Sequence, residues 1–401
     1  MTNPTIQIEK DLGKQIYDAL QGAVVETVLE IATDGSGNDY WRNIMEGHCM
    51  KVEKEILPEF YDMCHEVKDK LGFNEPVDFY IQGDSSINAF SVAAAEEGQP
   101  HIVNLNSGLV DLMTKDELLF VIGHELGHII NKDTNLKRLI NFVYPPGRAQ
   151  LPIALQLKVR LHDQLAELVA DRYGYMANQN LNACVTAFFK MASGLDLAKM
   201  NVSIEALLAD NMKRLDYFLK DKGLSQYDHP VNPIRVQAIN LFATVDDEKK
   251  LEESMSELIE ILLKVGNGPL DEDLSVFVAT AGIIVSNADE KVTDKEYEHI
   301  IQSLSSLQMF PQSFLQAILK ADVNELFKQS VSNILQKDPG MRDSLLAYVI
   351  GLVIADKDIS TEEVKLIFCF GDDLGLSQKE ISTMFASMIQ EHYTPSLQSI
   401  C

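Results

Sequence analysis

The segment VIGHELGHII, residues 121–130, sets two histidines four apart, with a glutamate directly after the first. Just upstream, TKDELLF opens with Thr114 and carries Glu117 three residues later, the capping-box signature of a helix start. The segment therefore reads as a helix. On a helix, residues four apart lie on one face, a turn from each other, so His124 and His128 offer two imidazoles to one point. Two surface histidines on a polar face would be the bland reading. It fits badly, because Val121, Ile122, Leu126, Ile129 and Ile130 make the segment nearly all apolar. Imidazoles and a carboxylate carried into a core need partners.

The surroundings change period around this helix. Residues 1–72 read as helices: LGKQIYDALQGAVVETVLEIA has apolar positions at helical spacing and ends at the glycine-rich TDGSGND, and VEKEILPEFYDMCHEVKDKLG gives a second helix. VDFYIQG and HIVNLN alternate like strands, with EEGQP as a turn before the latter. VYPPGRAQLP breaks the chain after the histidine helix, and LQLKVRLHDQLAELVADRYGYMA is the next long helix. The acidic ATVDDEKK, 243–250, reads as a linker.

Two imidazoles on one helix face suit zinc, which takes neutral imidazole nitrogens, about four ligands in all, and keeps one position for water in catalytic sites. Glu125 lies beside that coordination sphere without entering it, where a carboxylate can take the proton of the bound water. HExxH is the pattern that encodes this arrangement. The third ligand must come from another element. AELVADRYGY supplies Glu167 and, four later, Asp171. Glu167 would complete an open His2Glu site, and Asp171 could fix the tautomer of His124 or His128 from behind. Taken alone, both carboxylates also fit as solvated helix charges.

Four motifs in order now resemble a known family, the family-48 zinc metallopeptidases, a gluzincin group that includes prenyl-protein endopeptidases and a heat-shock metalloprotease. They are NAF (Asn88, Ala89, Phe90) before a strand, NSGLVDLMTKDELLFVIGHELGHI, AELVADRYG, and DHPVNPIRVQAI at 228–239. The likeness covers roughly residues 45–245. It implies His124, His128 and Glu167 as ligands of one zinc ion and Glu125 as general base. It further implies Asp171 as the acid behind the ligands, His229 as the residue that steadies the oxyanion, and Arg235 as its companion. Asn88, Ala89 and Phe90 would give the edge on which an extended peptide adds a strand. Without the resemblance, His229 reads as a turn residue before Pro230. His101 reads as structural.

The implied fold is α+β, mostly α: a gluzincin catalytic domain with a small β-sheet and a zinc-binding helix pair, followed by an all-α bundle. The expected organisation is an N-terminal helical segment at 1–48, a metallopeptidase domain at 49–245 and a helical module at 250–398. The module contains a weak repeat, ADEKVTDKEYEHI (288–300) and ADKDISTEEVKLI (355–367), each turn supplying an N-cap with glutamate three later: Thr293 with Glu296, Ser360 with Glu363. These turns resemble those of TerB-like helical modules. The module reads either as a docking site for a protein partner or regulator, or as a passive stabilising bundle. DKDIS begins like a calcium loop, but the glycine at the sixth position and the closing glutamate at the twelfth are absent, and the turns read as solvated caps.

The bulk numbers bound the partners. With 401 residues and 46% hydrophobic residues, the chain can bury a sizeable core. A formal net charge of -26 excludes nucleic acid and electrostatic docking on anionic lipid as partners. The longest strongly apolar run, LLAYVIGLVIA at 345–355, is short of the about 20 residues a membrane span needs. MTNPTIQIEKDLGK lacks the apolar core of a secretion signal, and the 5 cysteines are scattered without a CxxC pair, so a reducing, cytoplasmic setting is expected. The expected activity is that of a zinc endopeptidase acting on polypeptides. A non-catalytic zinc-binding interaction protein and a zinc hydrolase of non-peptide amides are the alternatives.

Overall fold

A computed structural model of the chain describes residues 3–32, 39–94, 98–146, 151–200, 202–220, 229–265, 269–286, 312–355 and 359–392. The chain divides into two compact units, one of residues 1–150 and 159–266, the other of 151–158 and 267–401. As expected, the class is α+β and mostly α, with one small mixed sheet.

In the first unit, helices α1 (Gln7–Ala19), α2 (Gly22–Ala32) and α3 (Asp39–His48) precede the short strand β1 (Met50–Lys51) and α4 (Pro58–Leu71). Two expected helices are cut short for local reasons. The helix expected over 12–32 breaks at Gln21, which takes φ 52, and the Tyr17 ring packs where a Gly22 side chain would stand. The helix expected over 52–72 starts only at Pro58, because Leu57 before it is held out of the helical region at φ -132 and the proline fits the first turn.

Strands β2 (Val77–Gln82), β3 (Ala89–Val92) and β4 (His101–Asn106) follow, in the sheet order β1-β2-β4-β3. β2 runs parallel to β4, with Val77 opposite His101, while β3 is antiparallel to β4, with Phe90 opposite Asn104. Central β4 is buried along its whole length. His101, read as structural, is buried: its Nδ1 accepts from the Ala94 N–H at 2.9 Å and its Nε2 pairs with Glu75 at 2.8 Å. β3 forms the sheet edge next to the histidine helix.

After α5 (Ser107–Leu112) come α6 (Lys115–Ile130), α7 (Asp133–Val143), α8 (Ile153–Asn178), α9 (Leu181–Ser193), α10 (Ile204–Lys220), α11 (Asn232–Thr244) and α12 (Glu248–Val265). The capping box at α6 forms as expected: the Thr114 side chain accepts from the Glu117 N–H, and Glu117 accepts from the Thr114 N–H. Helices α6 and α8 touch backbone to backbone. A Cβ at Gly123 would lie 2.6 Å from the Ala177 Cβ, one at Gly127 2.9 Å from the Tyr173 Cβ, and one at Gly174 2.6 Å from the Phe120 ring. These three glycines set the separation at which side chains of the two helices can meet. The acidic stretch 243–250 is no linker: it ends α11, turns at 245–247 and starts α12. Helix α12 buries Leu251, Met255, Leu258 and Leu262 in the first unit's core, so this unit runs one helix past that stretch.

The second unit is helical throughout its described residues. Phe277, Val278, Leu345, Leu346, Ile350 and Ile367 build its core, with the Phe277 ring stacked on Phe327 and Phe370. Ser360 and Glu363 form a complete capping box. The other expected cap, Thr293 with Glu296, lies outside the described residues, as do Asp356, Asp358 and the middle of VYPPGRAQLP.

Candidate active site

Helix α6 carries His124 and His128 one turn apart, and both point at α8. Their Nε2 atoms are 3.2 Å apart and their rings are nearly perpendicular, at 89°. From α8, Glu167 brings Oε2 to 3.6 Å from the His124 Nε2 and Oε1 to 3.5 Å from the His128 Nε2. These separations are close to the edge of a tetrahedron, about 3.3–3.4 Å, around an ion with ligand bonds of about 2.0–2.1 Å. The Glu167 Oε2 is buried and has no hydrogen-bond partner. Its nearest cation is the Arg235 NH2 group at 3.5 Å, longer than a hydrogen bond, so this buried carboxylate oxygen gains from a closer cation. The three side chains thus fit a bound metal ion as a donor set.

The groups behind the ligands decide which nitrogen faces inward. Asp171, one turn beyond Glu167, is fully buried and accepts from the Arg235 Nε–H at 2.9 Å and from the Arg235 NH2 group at 2.6 Å. Burial alone would raise its carboxyl, but the Arg235 charge and hydrogen bonds outweigh that and hold it down to about 2. An ionised carboxylate only accepts. The His124 Nδ1–H therefore donates to the Asp171 Oδ1 at 3.0 Å, and the Nε2 lone pair of His124 points at the centre. His128 is oriented the same way by a different acid. Its Nδ1–H donates to the Asp133 Oδ2 at 3.1 Å, at the first turn of α7.

Electrostatics agree with a cation-binding centre. Burial pushes the His128 imidazole down, yet Asp133, Glu167 and Glu125 together raise it to about 9. The same surroundings hold Glu167 below the ordinary carboxylate range against the opposing effect of burial, through the charges of His128, Arg235, His124 and His229. Binding a metal ion here replaces a proton. Glu125 is buried on α6 beside His124, and its charge is felt at both His128 and Arg235.

His229 stands just before α11 on the open side, 60% exposed, with its Nε2 3.5 Å from the Glu167 Oε1. Arg235, expected as the companion of His229, follows on α11. It is buried, bonded twice to Asp171, and stacked over the Phe188 ring at 4.8 Å. Ala89 and Phe90 lie on β3, and the Asn88 carbonyl accepts from the Asn106 N–H at 3.0 Å, which fixes the start of that strand against β4.

Sequence reasoning missed Asp133, although it lies five residues after His128. It also missed Lys190, which is buried and donates to the Glu117 Oε2 at 2.8 Å and to the Leu112 carbonyl at 3.0 Å. A second cluster likewise went unread. Glu9, Asp133 and His162 come together between α1, α7 and α8, with the His162 Nε2 3.1 Å from the Glu9 Oε1. The Glu9 Oε1 also accepts from the Asn131 Nδ2 at 3.0 Å, and Asn131 donates to Asp133 as well.

Residues 58–145, which include α4, strands β2 to β4 and the histidine helix, match the model of Peptidase family M48. The chain is 24% identical to a protein of Arabidopsis thaliana named plastoglobule-localized metallopeptidase 48, chloroplastic, over 58% of its own length and 67% of that protein. It is 27% identical to a protease HtpX homolog of Gemmatimonas aurantiaca, over 48% of this chain and 78% of that one. A protease HtpX homolog of Bordetella pertussis is 34% identical, but the match spans only 20% of this chain and 27% of that protein. No solved structure matches the chain. Among the described residues, no helix is long and apolar enough to cross a membrane. The histidine helix and the strands beside it thus lie in the segment that matches Peptidase family M48, and the chain is similar to proteins named as metallopeptidases and proteases.

Proposed function

We propose that the chain is a zinc-dependent endopeptidase that cuts extended polypeptide segments, with one zinc ion held by His124, His128 and Glu167. The observation that carries this reading is the donor set itself: two inward Nε2 atoms and a buried carboxylate oxygen without a hydrogen bond at tetrahedral spacing, with the exposed His229 beside the carboxylate. Zinc bound there supplies Lewis acidity, polarising a carbonyl and lowering the pKa of a water to about 7.

The chain's own residues do the rest. Glu125 takes the proton of the attacking water, a general-base role worth about 10²–10⁴-fold. His229 donates to the carbonyl oxygen as negative charge develops on it. Asp171 and Asp133 keep the Nδ1 of His124 and His128 protonated, and Arg235 keeps Asp171 ionised and in place. A structural metal site has no use for Glu125, and the open edge of β3 beside α6 suits an extended peptide better than a small amide.

The second unit is the candidate for control or targeting by a protein partner. On the packing of α12, the peptidase domain extends to about residue 266 and this module begins after it. The likeness to TerB-like modules remains part of this proposal and rests on the turn at Ser360–Glu363.

The test is cleavage of casein by the zinc-loaded full chain, with Glu125→Gln alongside. Cutting by the wild type and not by the variant supports the reading. Equal cutting by both removes Glu125 from the chemistry. If neither cuts although one zinc per chain is bound, the endopeptidase reading fails for unstructured protein.

A further inference from the structure

Strand β3 has two faces of different character. Ala89 turns into the main core, the one that holds α6. Phe90 and Val92 turn to the opposite face and pack on a small cluster of Met45, Tyr80 and Ile102, whose helix is α3. Met45 is 1% exposed, but Trp41, one turn earlier on the same helix face, is 40% exposed, and Tyr40 beside it is 64% exposed. The Trp41 ring centroid lies 5.6 Å from that of Phe90, and Tyr40 meets Trp41 edge-on at 5.5 Å. Three aromatic rings thus form a ledge that continues the apolar stripe of α3 out to the edge strand.

The ledge is fixed in position. Arg42, next to Trp41, donates to the Asp78 Oδ2 on β2 at 2.8 Å and to the Pro100 carbonyl at 2.9 Å. The Tyr80 hydroxyl donates to the Glu46 Oε1 on α3 at 2.8 Å. These bonds clamp both ends of α3 to the sheet. Large aromatic side chains left in water on an anchored scaffold mark a binding surface, because they bury much area for little lost freedom.

From this we infer that Tyr40, Trp41 and Phe90 form a specificity site for the substrate's alternate side chains. The inference rests on the reading of β3 as the strand to which a peptide adds. A peptide paired with β3 must alternate its side chains between the two faces. Those on one face look toward α6 and its histidines. Those on the other lie about 4.5–5.5 Å from their cross-strand neighbour Phe90 and meet the ledge. The preferred substrate is therefore an extended segment with large apolar or aromatic residues at every second position near the cut.

Trp41 is the only tryptophan of the chain, so its emission reports on the ledge alone. The experiment uses the zinc-loaded full chain and two synthetic extended peptides of otherwise identical sequence, with phenylalanine or serine at alternate positions. With Glu125→Gln, the phenylalanine peptide shifts Trp41 emission to shorter wavelength and binds about tenfold tighter than the serine peptide. With the active chain, kcat/KM favours the phenylalanine peptide by about tenfold, chiefly through KM. Trp41→Ala brings that ratio toward one. Tyr40→Ser, at a more exposed position, lowers it partway without touching the buried stripe. A ratio unchanged in both variants, or an unshifted emission with the phenylalanine peptide bound by calorimetry, overturns the ledge. If neither peptide is cut, the endopeptidase reading fails, and the emission shift still decides the ledge.

Discussion

Two clusters of histidine and carboxylate lie within the first unit, joined by Asp133, and they differ in one respect. In the Glu9, Asp133 and His162 cluster each side chain already has protein partners: Glu9 bonds His162 and Asn131, and Asp133 bonds Asn131 and His128. In the His124, His128 and Glu167 cluster, two imidazole nitrogens face each other at 3.2 Å and the Glu167 Oε2 has no hydrogen bond. The first is a closed buried ion pair and the second an open donor set. Composition alone does not separate them, since each offers histidine and carboxylate within reach of one ion. Satisfaction of the inward atoms does.

Substitution at matched glutamates breaks this comparison most sharply. Glu167→Gln removes a ligand and should lose more metal affinity than the about 10–100-fold that a change behind a ligand costs, with activity lost alongside. Glu9→Gln should leave one zinc per chain by metal analysis and instead lose about 3–5 kcal/mol in urea unfolding, as for a buried pair robbed of one partner. Loss of zinc in Glu9→Gln with unchanged stability would reverse the assignment of the two clusters.

The closed cluster also predicts a pH dependence of stability. Burial pushes the His162 imidazole down, but hydrogen bonds and charge from Asp163 and Glu9 raise it to about 9. The folded value lies above the unfolded value of about 6.5, so its contribution is complete below about pH 6.5 and is lost as pH rises to about 9. That amounts to about 3 kcal/mol, and it should shrink in Glu9→Gln, where Asp163 still faces the imidazole, read from unfolding midpoints compared between the two metal-free chains.

Smaller effects sharpen the picture at Asp133, which touches both clusters. Asp133→Asn should weaken zinc about 10–100-fold, because an amide no longer forces the His128 Nδ1 to carry the proton. Smallest are the caps. Thr114→Ala and Ser360→Ala should each cost about 1 kcal/mol, since both remove the same local bond. The glutamates of these two boxes part company. Glu117 is buried with Lys190 and Thr186, so Glu117→Gln should cost several times more than Glu363→Gln, whose carboxylate serves only its cap.

The residues that sequence reasoning found and those it missed differ by distance along the chain. His124, Glu125 and His128 were legible because helical spacing alone puts them together. Glu167 and Asp171 were legible as a second pair at the same spacing, but their place opposite the histidines came from resemblance, not from geometry. Arg235 was expected only as the companion of His229, and its bonds to Asp171, 64 residues away in sequence, were not legible. Lys190 looked like an ordinary helix charge, and only the fold buries it against Glu117.

The sequence by itself determined the α6 cap, the strands β2 and β4, the mostly helical class and the pair of histidines on one face. Each follows from contacts among residues a few positions apart, which the chain makes wherever it lies. Tertiary structure alone decided that α6 and α8 approach until Gly123, Gly127 and Gly174 touch their neighbours, and so that Glu167 falls at tetrahedral distance from both imidazoles. It also decided that Asp171 and Asp133 each stand behind one histidine, and that one His–carboxylate cluster closes on itself while the other stays open. Those outcomes depend on how separate elements pack, and no local periodicity encodes the distance between two helices.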